Sequence, residues 1–268
     1  MRDLEGLNSV VLGASAEGGS GWRAAERLAL RGSRVTVGAR RIEGVNALAK
    51  KIGGASIRCD VASEADVEAM ADLARRNGPI DLAILAAGHA PVGNIDRISG
   101  ESLALAFDIN FFGATYFIRH MARHLKDGGA IVMMTSLAAT HPQPGYFSYA
   151  CAAAAVHTLI KYAALEYAAR GIRINAIAPG LIASPMAADL LSKPEAKKAM
   201  LREIPLGRAV EPTEVADTAI WIGTSGTAIT GEWLYVDNGM HLRRPPQPEE
   251  IGEETLRANA VAGGYQTT

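Results

Sequence analysis

The sequence predicts an α/β protein: one Rossmann-fold domain whose doubly wound parallel sheet carries helices on both faces. Three observations predict it. Short β-branched or apolar runs alternate with stretches of helical spacing, a glycine-rich turn joins the first run to the first helix, and no repeat or linker interrupts the pattern before residue 243. Parallel neighbours need crossover connections, and strands buried on both faces read as continuous apolar runs, so the alternation matches a sheet covered on both sides.

The strand-like runs are residues 10–12, 35–37, 82–85, 131–134, 172–177 and 234–236, and helical spacing occupies 22–30, 66–75, 102–125 and 152–169. Between the first strand and the first helix stands Gly13-Ala14-Ser15-Ala16-Glu17-Gly18-Gly19-Ser20-Gly21. Glycine permits φ > 0 and close backbone approach, while a helix start offers unpaired N–H groups and a positive dipole end to a pyrophosphate. Gly13, Ser15, Gly19, Ser20 and Gly21 are therefore candidate dinucleotide-binding positions. After the second strand comes Gly38-Ala39-Arg40-Arg41. The acid that reads a ribose 2′-hydroxyl in NAD-binding units is missing there, and the guanidiniums of Arg40 and Arg41 suit a 2′-phosphate instead, so the expected cofactor is NADP(H).

The composition is that of an ordinary globular chain: 268 residues, 49% hydrophobic, 21% charged, formal net charge -1. It offers no basic excess for nucleic acid or an anionic membrane, so the expected partner is a small molecule. Cys59 and Cys151, the only cysteines, lack metal-ligand or redox spacing, and no metal site is expected. The start Met1-Arg2-Asp3-Leu4-Glu5 is too acidic for a signal peptide and no apolar stretch is long enough to span a bilayer, which predicts a soluble, cytoplasmic protein. Residues 1–242 form the predicted domain. Residues 243–268, with Pro245, Pro246 and Pro248 among charges, read as a Pro-rich C-terminal tail, the alternative being an arm over a neighbouring subunit.

Further segments stand in a telling order. Cys59-Asp60-Val61 follows the third strand; Leu85-Ala86-Ala87-Gly88 ends the fourth; Asn110, Ser136 and Tyr149 succeed one another, with Ser136 thirteen residues before Tyr149; Pro179-Gly180-Leu181-Ile182-Ala183-Ser184-Pro185-Met186 follows. Over residues 7–242 the chain resembles the short-chain dehydrogenase/reductase family. The resemblance implies interconversion of a ketone and a secondary alcohol, with Tyr149 as acid/base, Ser136 polarising the carbonyl and Asn110 positioning a water in the proton path. It implies cofactor contacts from Asp60 and Val61 on the adenine side, from Ala87 and Gly88, and from Asn110, Tyr149, Pro179, Gly180, Ile182 and Ser184 on the nicotinamide side. It also implies a homotetramer or homodimer built on the helices at 102–125 and 152–169. Selectivity is expected from a loop at 185–205 and from His89, Leu137, Tyr146 and Met186. None of these brings a distinctive charge, which favours an apolar or weakly polar ketone.

The chain departs from the family pattern in three places. Ala86 and Ala87 stand where the family carries two asparagines. Ala153 stands four residues after Tyr149, at the family's catalytic lysine, whose ammonium favours phenolate. Two readings of Ala153 are open: a natural lysine-less member with reduced or altered chemistry, or an inactive copy of a parent with lysine at 153, which the otherwise intact set favours. The glycine turn is two residues longer than usual and resembles the divergent enoyl-reductase branch, which makes Tyr146 a second candidate acid. Reduction of a conjugated C=C, and NADP(H) binding without turnover, are the alternative functions.

Overall fold

A computed structural model of the chain describes residues 3–225 and 228–252. The first half runs β1 (Asn8–Leu12), α1 (Ser20–Leu30), β2 (Arg34–Ala39), α2 (Ile42–Ile52), β3 (Ala55–Arg58), α3 (Glu64–Arg75) and β4 (Ile80–Leu85). The second runs α4 (Gly100–Phe107), α5 (Gly113–His124), β5 (Leu125–Met134), α6 (Phe147–Glu166), β6 (Arg173–Pro179), α7 (Ala188–Ser192), α8 (Pro194–Arg202), α9 (Pro212–Thr224), β7 (Trp233–Val236) and α10 (Pro248–Ile251). Among the described residues the strands form one seven-stranded sheet in the order β3-β2-β1-β4-β5-β6-β7, with every neighbouring pair parallel. The chain winds outward from β1 to β3, then crosses back to β4 on the other side of β1. The strand order therefore reverses between β1 and β4, and such folds bind ligands beyond the strand ends at that point.

The period-two alternation of strands divides the core into two layers. Val10 and Leu12 of β1, with Ile131 and Met133 of β5, pack against Met70 of α3, Phe117 of α5 and Ile160 of α6. Val11 and Val132, on the other face, meet Trp22 and Leu28 of α1, Leu48 of α2 and Ile220 of α9. Each such large side chain contributes about 1.5–3 kcal/mol by leaving water. A third cluster lies apart, joining Leu137, Leu190, Met200, Ile204, Met240 and Ile251.

Three features differ from expectation. The helix expected over 102–125 is three pieces: α4 ends at Phe107, a π-helical turn occupies Asp108–Phe112, and α5 gives way to β5 at Leu125. The expected loop at 185–205 is largely helical, a 3₁₀ turn at Pro185–Ala187 followed by α7 and α8. Of the expected tail, residues 243–252 lie against the domain, with Ile251 buried in the third cluster, while 253–268 lie outside the described residues. No helix of the described residues is long and apolar enough to cross a membrane.

Candidate active site

The glycine turn draws β1, β4 and α1 together. A Cβ on Gly13, whose φ is +101°, would lie 2.3 Å from the Ala87 nitrogen, and one on Gly21 would lie 2.4 Å from the Gly13 carbonyl oxygen. Neither position accepts a side chain. The N-cap of α1, Gly19, provides no side-chain cap, and Gly19, Ser20 and Gly21 line a cavity over the turn. The first amides of α1 thus need an outside acceptor. The Ser20 hydroxyl is buried there without a hydrogen-bond partner, the condition that a phosphate oxygen relieves.

An adjoining cavity is lined by Gly13, Ser15, Arg40, Arg41, Val61 and Gly88. Arg41 Nε donates to Ser15 Oγ at 3.2 Å, joining the turn after β2 to the glycine turn. The His89 imidazole is held down to about 4 by burial first and by the Arg40 charge second. Asp60 does not line this cavity. One of its carboxylate oxygens accepts from the Ala62 amide at 3.0 Å, and Cys59 forms the wall instead. Burial pushes the Cys59 thiol up to about 12, so it offers an inert surface.

On the far side of the turn the cavity continues past Thr135, Tyr149, Pro179, Ile182 and Ser184. The segment after β6 is fixed by a parallel bridge between Ile182 and Val210, with the Ala183 amide donating to the Val210 carbonyl at 2.8 Å. The residues present therefore fit a dinucleotide laid across the switch point: an open helix start, an orphaned hydroxyl and two guanidiniums in one trough.

Ser136 lies two residues beyond β5, and its Oγ accepts from the Ala138 amide at 3.1 Å. Tyr149 stands in the first turn of α6. Burial pushes its phenol up, and a hydrogen bond from Ser136 offsets part of that. Tyr149 borders the cofactor-side cavity, a separate pocket shared with Ser136, and a small cavity of about 30 Å³ beside Ala153. That small cavity lies next to Ala153, and it is roomy enough for a water.

Among the described residues no cation lines this small cavity. His157, one turn along α6, bonds Thr135 Oγ1 at 3.1 Å and stacks on Trp233 with centroids 4.2 Å apart. Burial, then Lys161, hold its imidazole down to about 4, so it is neutral near pH 7. Lys161 itself sits 5.1 Å over the Trp233 ring.

Asn110 occupies the π-helical turn, a local widening frequent at functional sites. Its side chain is committed: Oδ1 accepts from the His89 amide at 3.0 Å, and Nδ2 donates to the carbonyls of His89 at 2.7 Å and Ala106 at 2.8 Å. The amide fastens the loop after β4 where the two family asparagines are absent. A water held by Asn110 must therefore use its main chain.

The second pocket contains Leu137 and Tyr146, as expected, but His89 and Met186 line the cofactor-side cavity instead. His89 follows β4, which flanks the switch point, and Met186 sits on the 3₁₀ turn Pro185–Ala187 after β6, whereas the second pocket draws on the segments after β5 and β6 and on the 3₁₀ turn Met240–Leu242. Of its other walls, Leu190 and Met200 fall within the segment expected at 185–205, whereas sequence reasoning missed His141, Gln143, Met240, Arg243, Pro245 and Ile251. Arg243, which was not among the expected wall residues, adds a charge to this pocket. The residues after 242 gave no signal of a place in the pocket, because prolines among charges read as a tail.

Residues 13–241 match the family profile described as enoyl-(acyl carrier protein) reductase. The chain is 36% identical over 253 residues to 3beta-hydroxysteroid dehydrogenase 1 of Eggerthella lenta, which covers 90% of this chain and 95% of that protein. It is 32% identical over 248 residues to glucose 1-dehydrogenase of Gluconobacter oxydans, covering 88% and 92%. Among solved structures, a short-chain type dehydrogenase/reductase from Mycobacterium ulcerans superposes with a TM-score of 0.89 at 25% identity, covering 98% of this chain and 99% of that one. A short chain dehydrogenase from Burkholderia cenocepacia in complex with NADP gives 0.81 at 26% identity, covering 89% and 99%.

Proposed function

Because the chain belongs to the short-chain dehydrogenase/reductase family, we propose that it is an NADP(H)-dependent oxidoreductase that interconverts a ketone and a secondary alcohol, slowed by Ala153. The observation that carries this is the position of Tyr149, at the meeting of the cofactor-side cavity and the pocket it shares with Ser136. NADP(H) bound in the trough supplies or accepts hydride. Ser15, Arg40 and Arg41 hold its 2′-phosphate, and the start of α1 with Ser20 holds its pyrophosphate. Ser136 donates a hydrogen bond to the substrate carbonyl oxygen, and Tyr149 delivers the proton that the oxygen acquires. With burial raising the phenol and no ammonium beside it, Tyr149 keeps its proton near neutrality, which suits reduction and penalises oxidation. The assembly in this reading is a homotetramer or homodimer through α4, α5 and α6.

The test is consumption of NADPH and of NADH over a panel of ketones, by this chain and its Ala153→Lys variant side by side. Lysine is expected to raise the rate by about 10²-fold or more, with NADPH preferred. No ketone reduced by either protein, with NADPH bound by both, overturns the reading in favour of binding without turnover. A second reading draws on Tyr146, which shares the pocket with Tyr149 and is pushed up by burial and by that neighbour, and on the long glycine turn. It is an enoyl reductase, and it is favoured if conjugated C=C bonds are reduced while ketones are left alone.

A further inference from the structure

The pocket that Ser136 and Tyr149 share is apolar along most of its wall, through Leu137, Leu181, Leu190, Met200, Met240 and Ile251. Its remaining charge comes from the segment after residue 242. Arg202 at the end of α8 and Arg244 of that segment are both locked to acids: Arg202 Nε lies 3.0 Å from Glu203, Arg244 grips both oxygens of Glu250 at 2.9 Å, and Arg202 also bonds Glu250. Two guanidiniums and two carboxylates close this quartet with no charge left over. His141 is likewise committed, with Nδ1 3.1 Å from Thr140 Oγ1 and Nε2 bonded to the His241 carbonyl at 2.5 Å. Arg243 lines the pocket and has no carboxylate within ion-pair distance among the described residues. The Arg243 amide donates to the Met240 carbonyl at 3.1 Å, which fixes the backbone from which the guanidinium projects.

Resting on the reading of Ser136 and Tyr149 as the carbonyl site, we propose that the substrate is an apolar carbonyl compound bearing a carboxylate, and that Arg243 determines specificity by binding it. An apolar body fills the wall between the two polar ends, and a guanidinium fork binds a carboxylate through two charge-assisted hydrogen bonds. The segment expected as a tail is then the wall that discriminates between substrates.

The experiment is titration calorimetry of the NADP-loaded full chain with 4-oxopentanoate, 6-oxoheptanoate and 8-oxononanoate, each beside its methyl ester, at low ionic strength. One chain length is expected to bind about tenfold more tightly as the acid than as the ester, a difference of about 1.4 kcal/mol. Arg243→Gln is expected to bring that ratio within twofold, and Arg243→Lys to keep several-fold of it. The ratio is taken within each protein, so a general loss of folding or affinity cancels. Equal binding of acid and ester at every length, no binding of any acid, or a preference that survives Arg243→Gln overturns the proposal. The underlying reading is judged separately. Reduction of neutral ketones with no acid preference leaves it standing while this proposal falls, and acids bound through Arg243 with no carbonyl reduced do the reverse.

Discussion

In the proposed reaction the chemistry turns on a single proton and on how firmly Tyr149 holds it. Burial pushes the phenol above its ordinary value, about 10, and the hydrogen bond from Ser136 offsets part of the rise. In the family pattern an ammonium at position 153 works in the opposite direction, and here a methyl group and a small cavity take its place. A raised pKa means that the phenol stays protonated to higher pH. Ketone reduction, which uses the phenol as donor, is therefore expected to be flat between pH 6 and 9. Alcohol oxidation, which needs phenolate, is expected to climb about tenfold per pH unit with no plateau below about pH 10. Ala153→Lys moves that plateau down. The pH profile of kcat/KM in both directions checks this, and an oxidation plateau below pH 8 in the unaltered chain identifies some other group as the base.

At the scale of elements, α6 carries more than Tyr149. His157 ties this helix to β5 through Thr135 and to β7 through Trp233. Its imidazole takes up a proton near 6.5 in the unfolded chain and only near 4 in the fold, so between these values the unfolded state binds more protons. Stability contributed by neutral His157 is complete above pH 6.5 and declines as pH falls towards 4, by up to about 3 kcal/mol at 1.36 kcal/mol per unit. His89, held down to about 4 as well, adds to the same decline. Urea denaturation at pH 7 and pH 5 is expected to show this loss, and His157→Phe, which keeps an aromatic ring on Trp233, to make it smaller. An unchanged slope in the variant means that other groups carry the acid sensitivity. The elements were legible in the sequence wherever a strand is buried on both faces, as β1, β4, β5 and β6 are. β3 was not, because an edge strand reading Ala55-Ser56-Ile57-Arg58 shows one large apolar residue and a charge. The π-helical turn was invisible because Asp108–Phe112 keeps helical spacing while its hydrogen bonds lengthen. For the site, Ser136, Tyr149 and Ala153 came from the family resemblance, and the structure brings Ser136 and Tyr149 to one pocket, with Ala153 and Tyr149 lining a small cavity beside it. The pocket walls from α7, α8 and residues 243–251 depend on how a satellite cluster folds back over the sheet, and no local pattern encodes that return.

For the whole molecule, the question is what covers the helices left outside. One sheet layer buries its apolar residues under α1, α2 and α9, the other under α3, α5 and α6. Yet α6 leaves Tyr162 63% exposed and Leu165 76% exposed, and Phe112, between α4 and α5, is 45% exposed. Isolated exposed apolar residues are ordinary; several on neighbouring helices form the kind of patch that marks an interface. Association through this face leaves the cofactor trough and the Arg243 wall open, because those lie at the strand ends rather than on the helix layer. The expected result by light scattering is a mass two or four times that of the chain, and Leu165→Glu combined with Tyr162→Glu is expected to lower it. The substitution works by placing like charges opposite one another across a symmetric contact, where desolvation and repulsion oppose binding together. Retained NADPH binding in the smaller species separates loss of association from loss of fold. A chain that is monomeric before any substitution leaves this face as plain solvated surface and removes assembly from the account of how the site is held in place.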